Sequence, residues 1–242
     1  MNVVIDIGNT RTKYALFSGR VLVEAGYDIG KIFESLQLLK DSGERVDIFL
    51  SGSGKLGEPV KLALKRRADS WLEADPQMPL PIRIGYATPE TLGFDRIANC
   101  VGGVSLFGGK PLLVIDTGTA ITYNYVDENG VFLGGNIAPG MEMRFRGLHQ
   151  FTARLPYVEP GEQYGGIGLT TETAIRNGVM EGILFEVEGY ISRFHEAHVN
   201  PKVIVTGGNS CFLEGKLAAG VCFCADLGFI GLNSILEFQK KR

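Results

Sequence analysis

Val3-Val4-Ile5-Asp6-Ile7-Gly8-Asn9-Thr10 and Leu113-Val114-Ile115-Asp116-Thr117-Gly118-Thr119-Ala120 repeat one pattern about half a chain apart. Each is a short apolar, β-branched run that breaks at an acidic residue two places before a glycine. This is the signature of a buried strand ending in a tight turn. Glycine there lets backbone N–H groups approach an anion, and the neighbouring Asp can hold a cation that neutralises phosphate. Two such turns predict a nucleotide held between two similar halves.

The architecture around the turns repeats as well, although the halves share little sequence. After the first, Thr12 to Phe17 and Val21 to Tyr27 read as strands joined at Ser18-Gly19-Arg20, followed by a helix over 31–40 and a buried strand over 46–50. Residues 59–72 read as helical, and the proline-rich stretch Asp75 to Pro81 is the clearest break. The plan then restarts. Strands are predicted over 112–116, 120–126 and 131–135, with Asp127-Glu128-Asn129-Gly130 as the hairpin turn. A long helix over 171–197, a strand over 203–205 and an amphipathic helix over 231–241 follow. Two copies of meander, helix and strand imply two α/β domains, 1–110 and 111–242, with their Asp-x-Gly turns facing a shared cleft. That layout resembles the actin-like ATPase and sugar kinase superfamily, which implies duplicated ribonuclease H-like domains with ATP between them.

Bulk properties narrow the function. The 242 residues are 45% hydrophobic and 21% charged, which suits a folded chain with a sizeable core. A net charge of −3 supplies no basic field for nucleic acid or an anionic membrane. The four cysteines lack paired CxxC spacing, which points to reduced thiols and, with no signal-peptide pattern or membrane-length apolar run, to a cytoplasmic protein.

Several motifs mimic chemistry without completing it. Ser51-Gly52-Ser53-Gly54-Lys55-Leu56 looks like a phosphate loop, but Phe49 stands where glycine is required and Leu56 where Ser or Thr is. Gly166-Ile167-Gly168-Leu169-Thr170-Thr171 lacks the third glycine of a dinucleotide fingerprint. His195 and His198 have no third ligand nearby in sequence, and His149 stands alone.

Gly93-Phe94-Asp95-Arg96 can be read in two ways. The Asp could accept a proton from an attacking hydroxyl while the guanidinium binds a carboxylate or phosphate. The same residues also read as an ordinary helix start, with Asp near its positive end.

Six motifs in order resemble those of the type III pantothenate kinases: Asp6-x-Gly8-Asn9-Thr10-x-x-Lys13; Tyr86-x-x-Pro89-x-x-Leu92-Gly93-x-Asp95-Arg96; Asp116-x-Gly118-Thr119-Ala120; Gly134-Gly135-x-Ile137-x-Pro139-Gly140; Thr171-Glu172-x-Ala174-Ile175-x-x-Gly178; and Thr206-Gly207-Gly208. The resemblance implies transfer of the ATP γ-phosphoryl group to pantothenate, the first step of coenzyme A biosynthesis. It implies ATP-phosphate contacts for Asp6, Ile7, Gly8, Asn9, Thr10, Arg11, Thr12 and Lys13, and for Thr119. Asp95 takes the role of general base, and Tyr86, Gly93, Phe94, Asp95, Arg96 and Thr171 that of pantothenate contacts. Asp116 is implied as ligand of a monovalent cation (K⁺ or NH₄⁺), Mg²⁺ as the companion of ATP, and a homodimer as the assembly. Two positions depart from the family pattern. Phe94 stands where Ala is usual and could narrow the substrate pocket, and Asn124 stands where Asp is frequent, which argues against a cation role there.

Overall fold

The computed structural model describes residues 1–8, 11–52, 54 and 56–242. Its elements in chain order are β1 (Asn2–Ile7), β2 (Thr12–Ser18), β3 (Val21–Gly26), α1 (Ile29–Asp41), β4 (Asp47–Gly52), α2 (Glu58–Lys65), β5 (Ser70–Glu73), β6 (Arg83–Ile84), α3 (Phe94–Phe107), β7 (Leu112–Thr117), β8 (Ala120–Val126), β9 (Val131–Pro139), α4 (Met141–Gln150), α5 (Thr171–Ala197), β10 (Lys202–Thr206), α6 (Ser210–Leu213), β11 (Val221–Phe223) and α7 (Leu227–Gln239). The chain forms two compact units. One comprises Met1–Gly108, Gly130–Phe132 and Asp226–Arg242; the other comprises Gly109–Asn129 and Leu133–Ala225. The C-terminal helix therefore packs within the first unit, although it follows the second in sequence.

In the first unit, five strands lie in the order β3-β2-β1-β4-β5. β1 is central, antiparallel to β2 and parallel to β4, and its alternation decides the layering. Val3, Ile5 and Ile7 face a core with Ile32, Leu36, Ile48, Leu50 and Leu64, beneath α1 and α2. Asn2, Val4 and Asp6 take the opposite face, which α7 covers. There Asn2 Nδ2 donates to Asn233 Oδ1 at 2.7 Å and to Glu237 Oε1 at 2.8 Å. Lys240 Nζ lies 2.6 Å from Asp47 Oδ2.

The helix predicted over 59–72 is shorter than expected. α2 ends at Lys65, and Ser70–Glu73 is an edge strand parallel to β4. The switch is set by Asp69, whose carboxylate accepts from Val46 N at 2.8 Å while its own N–H donates to the Val46 carbonyl at 2.8 Å. These contacts pull the chain into the sheet, overriding the helical apolar spacing.

The second sheet has six strands in the order β11-β10-β7-β8-β9-β6, the first five repeating the order β5-β4-β1-β2-β3. Leu113, Ile115, Ile121, Tyr123, Val203 and Val205 form one core with Ile175, Ile183, Val187 and Ile191 of α5. The turn at Asp127 to Gly130 forms as expected, with Asn129 N donating to Asp127 Oδ1 at 3.0 Å and Gly130 at φ 72°. β9 runs to Pro139 instead of stopping near Gly135. The last helix begins at Leu227, four residues before the apolar periodicity suggested.

Candidate active site

The first Asp-x-Gly turn is built on β1. Asp6 is in register with Lys13 on β2 and with Ser51 on β4. Gly8 N donates to the Arg11 carbonyl at 3.0 Å, and the Ile7 carbonyl accepts from Gly54 N at 2.9 Å. The Ile7 side chain belongs to the core, which leaves its backbone for any ligand contact. Thr12 pairs with Ile7, and the Arg11 guanidinium lies 5.9 Å from the Tyr27 ring centroid. Asn9 and Thr10 lie outside the described residues.

The Asp-Arg pair sits at the start of α3, and its two members have opposite environments. Asp95 is exposed, and its Oδ1 accepts from Arg96 N at 2.8 Å. The preceding Gly93 carbonyl accepts from Arg96 N and Ile97 N at 3.1 and 3.3 Å. A Cβ on Gly93 would fall 2.4 Å from Asp95 Oδ1, so the carboxylate folds back over the helix start through space that only glycine leaves open.

Arg96 is buried, its guanidinium carbon 5.7 Å from the Tyr86 ring and 5.5 Å from the Phe132 ring. Those rings are themselves edge-to-face at 5.9 Å. Tyr86 and Arg96 are thus brought together as the motif suggested. Phe132, at the start of β9, was not legible as a site residue, because a lone aromatic on a strand reads as core. One turn of α3 further on, the Cys100 thiol is fully buried, which pushes its pKa well up and leaves it inert.

Phe94 is half-buried, its ring set edge-on to Phe49 of β4, centroids 5.9 Å apart at 78°. The departure from the usual Ala therefore adds packing between α3 and the sheet.

The second turn is built on β7. Asp116 is in register with Thr122 of β8 and Thr206 of β10. Thr117 Oγ1 donates to the Thr206 carbonyl at 2.8 Å, and the Thr117 carbonyl accepts from Asn209 N at 3.1 Å. Gly207, at φ 95°, passes so close that a Cβ would meet Asp116 Oδ1 at 2.4 Å and Thr117 N at 2.6 Å. The Thr206-Gly207-Gly208 loop thus lies directly on the Asp116 carboxylate, a proximity that linear spacing does not reveal.

Gly140 is equally tight on the turn, since a Cβ there would fall 2.2 Å from the Thr119 carbonyl. Thr119 itself is exposed. Asn124 is fully buried, its Nδ2 donating to Thr122 Oγ1 at 2.9 Å and to the Val114 carbonyl at 3.3 Å. The amide thus fills a structural position on the strand carrying Thr122.

Gly207 and Gly118 let backbone pack against the Asp116 carboxylate, where a Cβ would fall 2.4 and 3.2 Å from Oδ1. One carboxylate with nearby backbone carbonyls is a donor set suited to a weakly held hard cation. Among the described residues no group of three or more His, Cys, Asp or Glu could hold a metal.

Thr171 is the first residue of α5 and is exposed. Thr170 caps the helix, accepting from Thr173 N at 3.2 Å, while Thr173 Oγ1 accepts from Thr170 N at 3.0 Å. Just before it, Ile167 and Leu169 are each 90% exposed. On α5, Gly178, Gly182, Phe185 and Gly189 form a stripe at i, i+4, i+7, i+11 opposite the buried one, with open space over the three glycines. All four cysteines are free, and among the described residues no helix is long and apolar enough to cross a membrane.

The mixed α/β fold is shared with solved structures of low sequence identity. The activator of 2-hydroxyisocaproyl-CoA dehydratase from Clostridium difficile, solved with bound ADPNP, matches 100% of this chain and 97% of its own at a TM-score of 0.50 and 12% identity. A Baf family protein from Campylobacter jejuni, titled a transcriptional activator, matches 99% and 100% at a TM-score of 0.61 and 22% identity.

The type III pantothenate kinase family model matches residues 2–193. The type III pantothenate kinase of Bacteroides fragilis is 40% identical over 242 residues, covering 100% of both chains. That of Christiangramia forsetii is 40% identical over 99% of each. The chain belongs to the type III pantothenate kinase family.

Proposed function

We infer that this chain transfers the γ-phosphoryl group of ATP to the primary hydroxyl of pantothenate, giving 4′-phosphopantothenate for coenzyme A biosynthesis. Family membership across the full length carries the reaction. The observation that best supports its chemistry is the placement of Asp95, an exposed carboxylate seated over the first turn of α3 by Gly93. Phosphoryl transfer asks little covalent work of a protein; it asks for position and charge neutralisation.

In this reading Asp95 accepts the proton of the attacking hydroxyl, its free oxygen turned to the substrate while Oδ1 stays on the backbone. Arg96, its guanidinium carbon 5.7 and 5.5 Å from the Tyr86 and Phe132 rings, directs its charge to the pantothenate carboxylate, with Tyr86, Gly93, Phe94 and Thr171 completing the substrate contacts. Asp6 to Lys13 receive the ATP phosphates: the backbone of Ile7 and Gly8, the side chains of Asn9, Thr10, Arg11 and Thr12, the Lys13 ammonium, and Asp6 beside the Mg²⁺ that accompanies ATP. Thr119 also meets the nucleotide. Asp116 holds a monovalent cation, K⁺ or NH₄⁺, whose charge offsets that of the phosphates.

The matching strand orders support two ribonuclease H-like domains, 1–110 and 111–242, with α7 returned to the first. The α5 stripe of Gly178, Gly182, Phe185 and Gly189, with Ile167 and Leu169, supports a homodimer in which a second copy covers this apolar face beside Thr171. Free thiols suit a cytoplasmic enzyme.

The test is ADP release coupled to ATP and pantothenate, with and without K⁺. Pantothenate-dependent release stimulated by K⁺ is expected, and absence of pantothenate dependence overturns the reading.

A further inference from the structure

Ser51, the penultimate residue of β4, is buried, 4% exposed, and its hydroxyl has no hydrogen-bond partner among the described residues. A buried hydroxyl without a partner is costly, and alanine would fill the same space without that cost. The position therefore has a use that the folded chain alone does not satisfy.

Its surroundings say what the use is. Ser51 is the residue of β4 in register with Asp6 of β1. Neighbouring strands about 4.8 Å apart put in-register side chains on the same face of the sheet, within reach of a hydrogen bond or a single water. Phe49, two residues back on that face, carries the ring against which Phe94 packs, next to Asp95.

The residues that follow bind the same turn through backbone. A Cβ on Gly52, at φ 127°, would meet the Ile7 carbonyl oxygen at 2.2 Å. Gly54 N donates to that oxygen at 2.9 Å, and a Cβ on Gly54 would fall 2.9 Å from the Gly8 carbonyl oxygen. The segment that mimics a phosphate loop in sequence thus backs the turn carrying Asp6; Ser53 and Lys55 lie outside the described residues.

We propose that Ser51 is a positioning residue for the nucleotide side of the site: its hydroxyl donates to one water that bridges to the Asp6 carboxylate, and fixes the carboxylate's orientation for nucleotide and its Mg²⁺. This rests on the reading of Asp6 as the nucleotide-side carboxylate, and it adds the group that orients it.

The test is Ser51→Ala, measured by calorimetric titration with ADP and Mg²⁺ and by steady-state kinetics. Loss of one water-bridged hydrogen bond to a charged group raises the ADP Kd and the KM for ATP about tenfold. The KM for pantothenate stays within about twofold, and Tm stays level or rises because no unpartnered hydroxyl is left behind. Ser51→Thr, which keeps the hydroxyl, restores nucleotide affinity.

In an Asp6→Asn background, Ser51→Ala adds little further loss, since the two act as a unit. An unchanged ADP Kd in Ser51→Ala overturns the proposal. So does a fall in Tm with equal loss toward both substrates, which would make Ser51 merely structural. Nucleotide titration needs no pantothenate, so failure here is distinct from failure of the kinase reading.

Discussion

The ring of Phe94 stands edge-on to that of Phe49, 5.9 Å between centroids, and so fixes the first turn of α3 to the middle of β4. Asp95 follows directly, so the seating of this aromatic pair sets where its carboxylate stands. Phe49 is fully buried and Phe94 half-buried. Phe49→Ala is expected to cost about 3–5 kcal/mol of stability and Phe94→Ala about 1–2 kcal/mol, edge-to-face pairs adding to area burial. Thermal melting of the two single variants and the double variant measures the coupling. kcat falls with Phe94→Ala while the KM for ATP holds.

Asp95→Asn separates chemistry from architecture. The Asn Oδ1 can still accept from Arg96 N, so the helix start survives and Tm changes little. With the proton acceptor gone, turnover falls by about 10²- to 10⁴-fold. Gly93→Ala reaches a similar end by a steric route, since the new Cβ would sit 2.4 Å from the carboxylate oxygen and displace it. Both variants are checked by kcat beside circular dichroism and melting.

Gly207→Ala introduces a side chain at φ 95° and drives it into Asp116 and the Thr117 backbone. A left-handed conformation alone costs about 1–2 kcal/mol for an L-residue, and the clash adds to it. The expected result is a lower Tm together with loss of K⁺ stimulation, because the carboxylate must turn away. Retained stimulation with normal Tm contradicts the assignment of Asp116 to the cation.

The anchor of α7 is expected to be acid-sensitive. Burial of Asp47 works to raise its pKa, but hydrogen bonds from Lys240 and Arg45 outweigh it and hold the carboxyl below its ordinary value of 3.8. A group depressed in the folded state contributes stability above its unfolded pKa and loses it as pH falls through the folded value. The contribution is therefore complete at neutral pH and fades below pH 3.8. Lys240→Ala, which leaves Asp47 buried with only Arg45, costs about 2 kcal/mol at neutral pH. Melting curves across the acid range should show a shallower acid limb in Lys240→Ala than in the parent.

Much of this arrangement was legible in sequence because strand-end carboxylates and period-two runs are local signals. β8 and α5 occur where their apolar patterns place them, at Ala120–Val126 and Thr171–Ala197. Gly93-Phe94-Asp95-Arg96 proves to be a helix start, one of the two readings its composition allowed. What stayed hidden depends on partners far along the chain. Residues 66–73 carry helical apolar spacing, and only the exchange between Asp69 and Val46 turns them into a sheet edge. Phe132, some 36 residues beyond Arg96 in sequence, completes an aromatic clamp that no motif announces. Gly207 lies far from Asp116 in sequence, yet its missing side chain makes room for the carboxylate.

The return of α7 to the first unit has a consequence for synthesis. On the ribosome, β1 and its Asp-x-Gly turn emerge early, yet Asn233, Glu237 and Lys240, which bind Asn2 and Asp47, are translated after the entire second unit. One face of the central strand must wait uncovered while more than half of the chain is made. Such long-range closure is slow and leaves apolar surface open to aggregation in the interval. The part of the enzyme made first is thus the last to be finished.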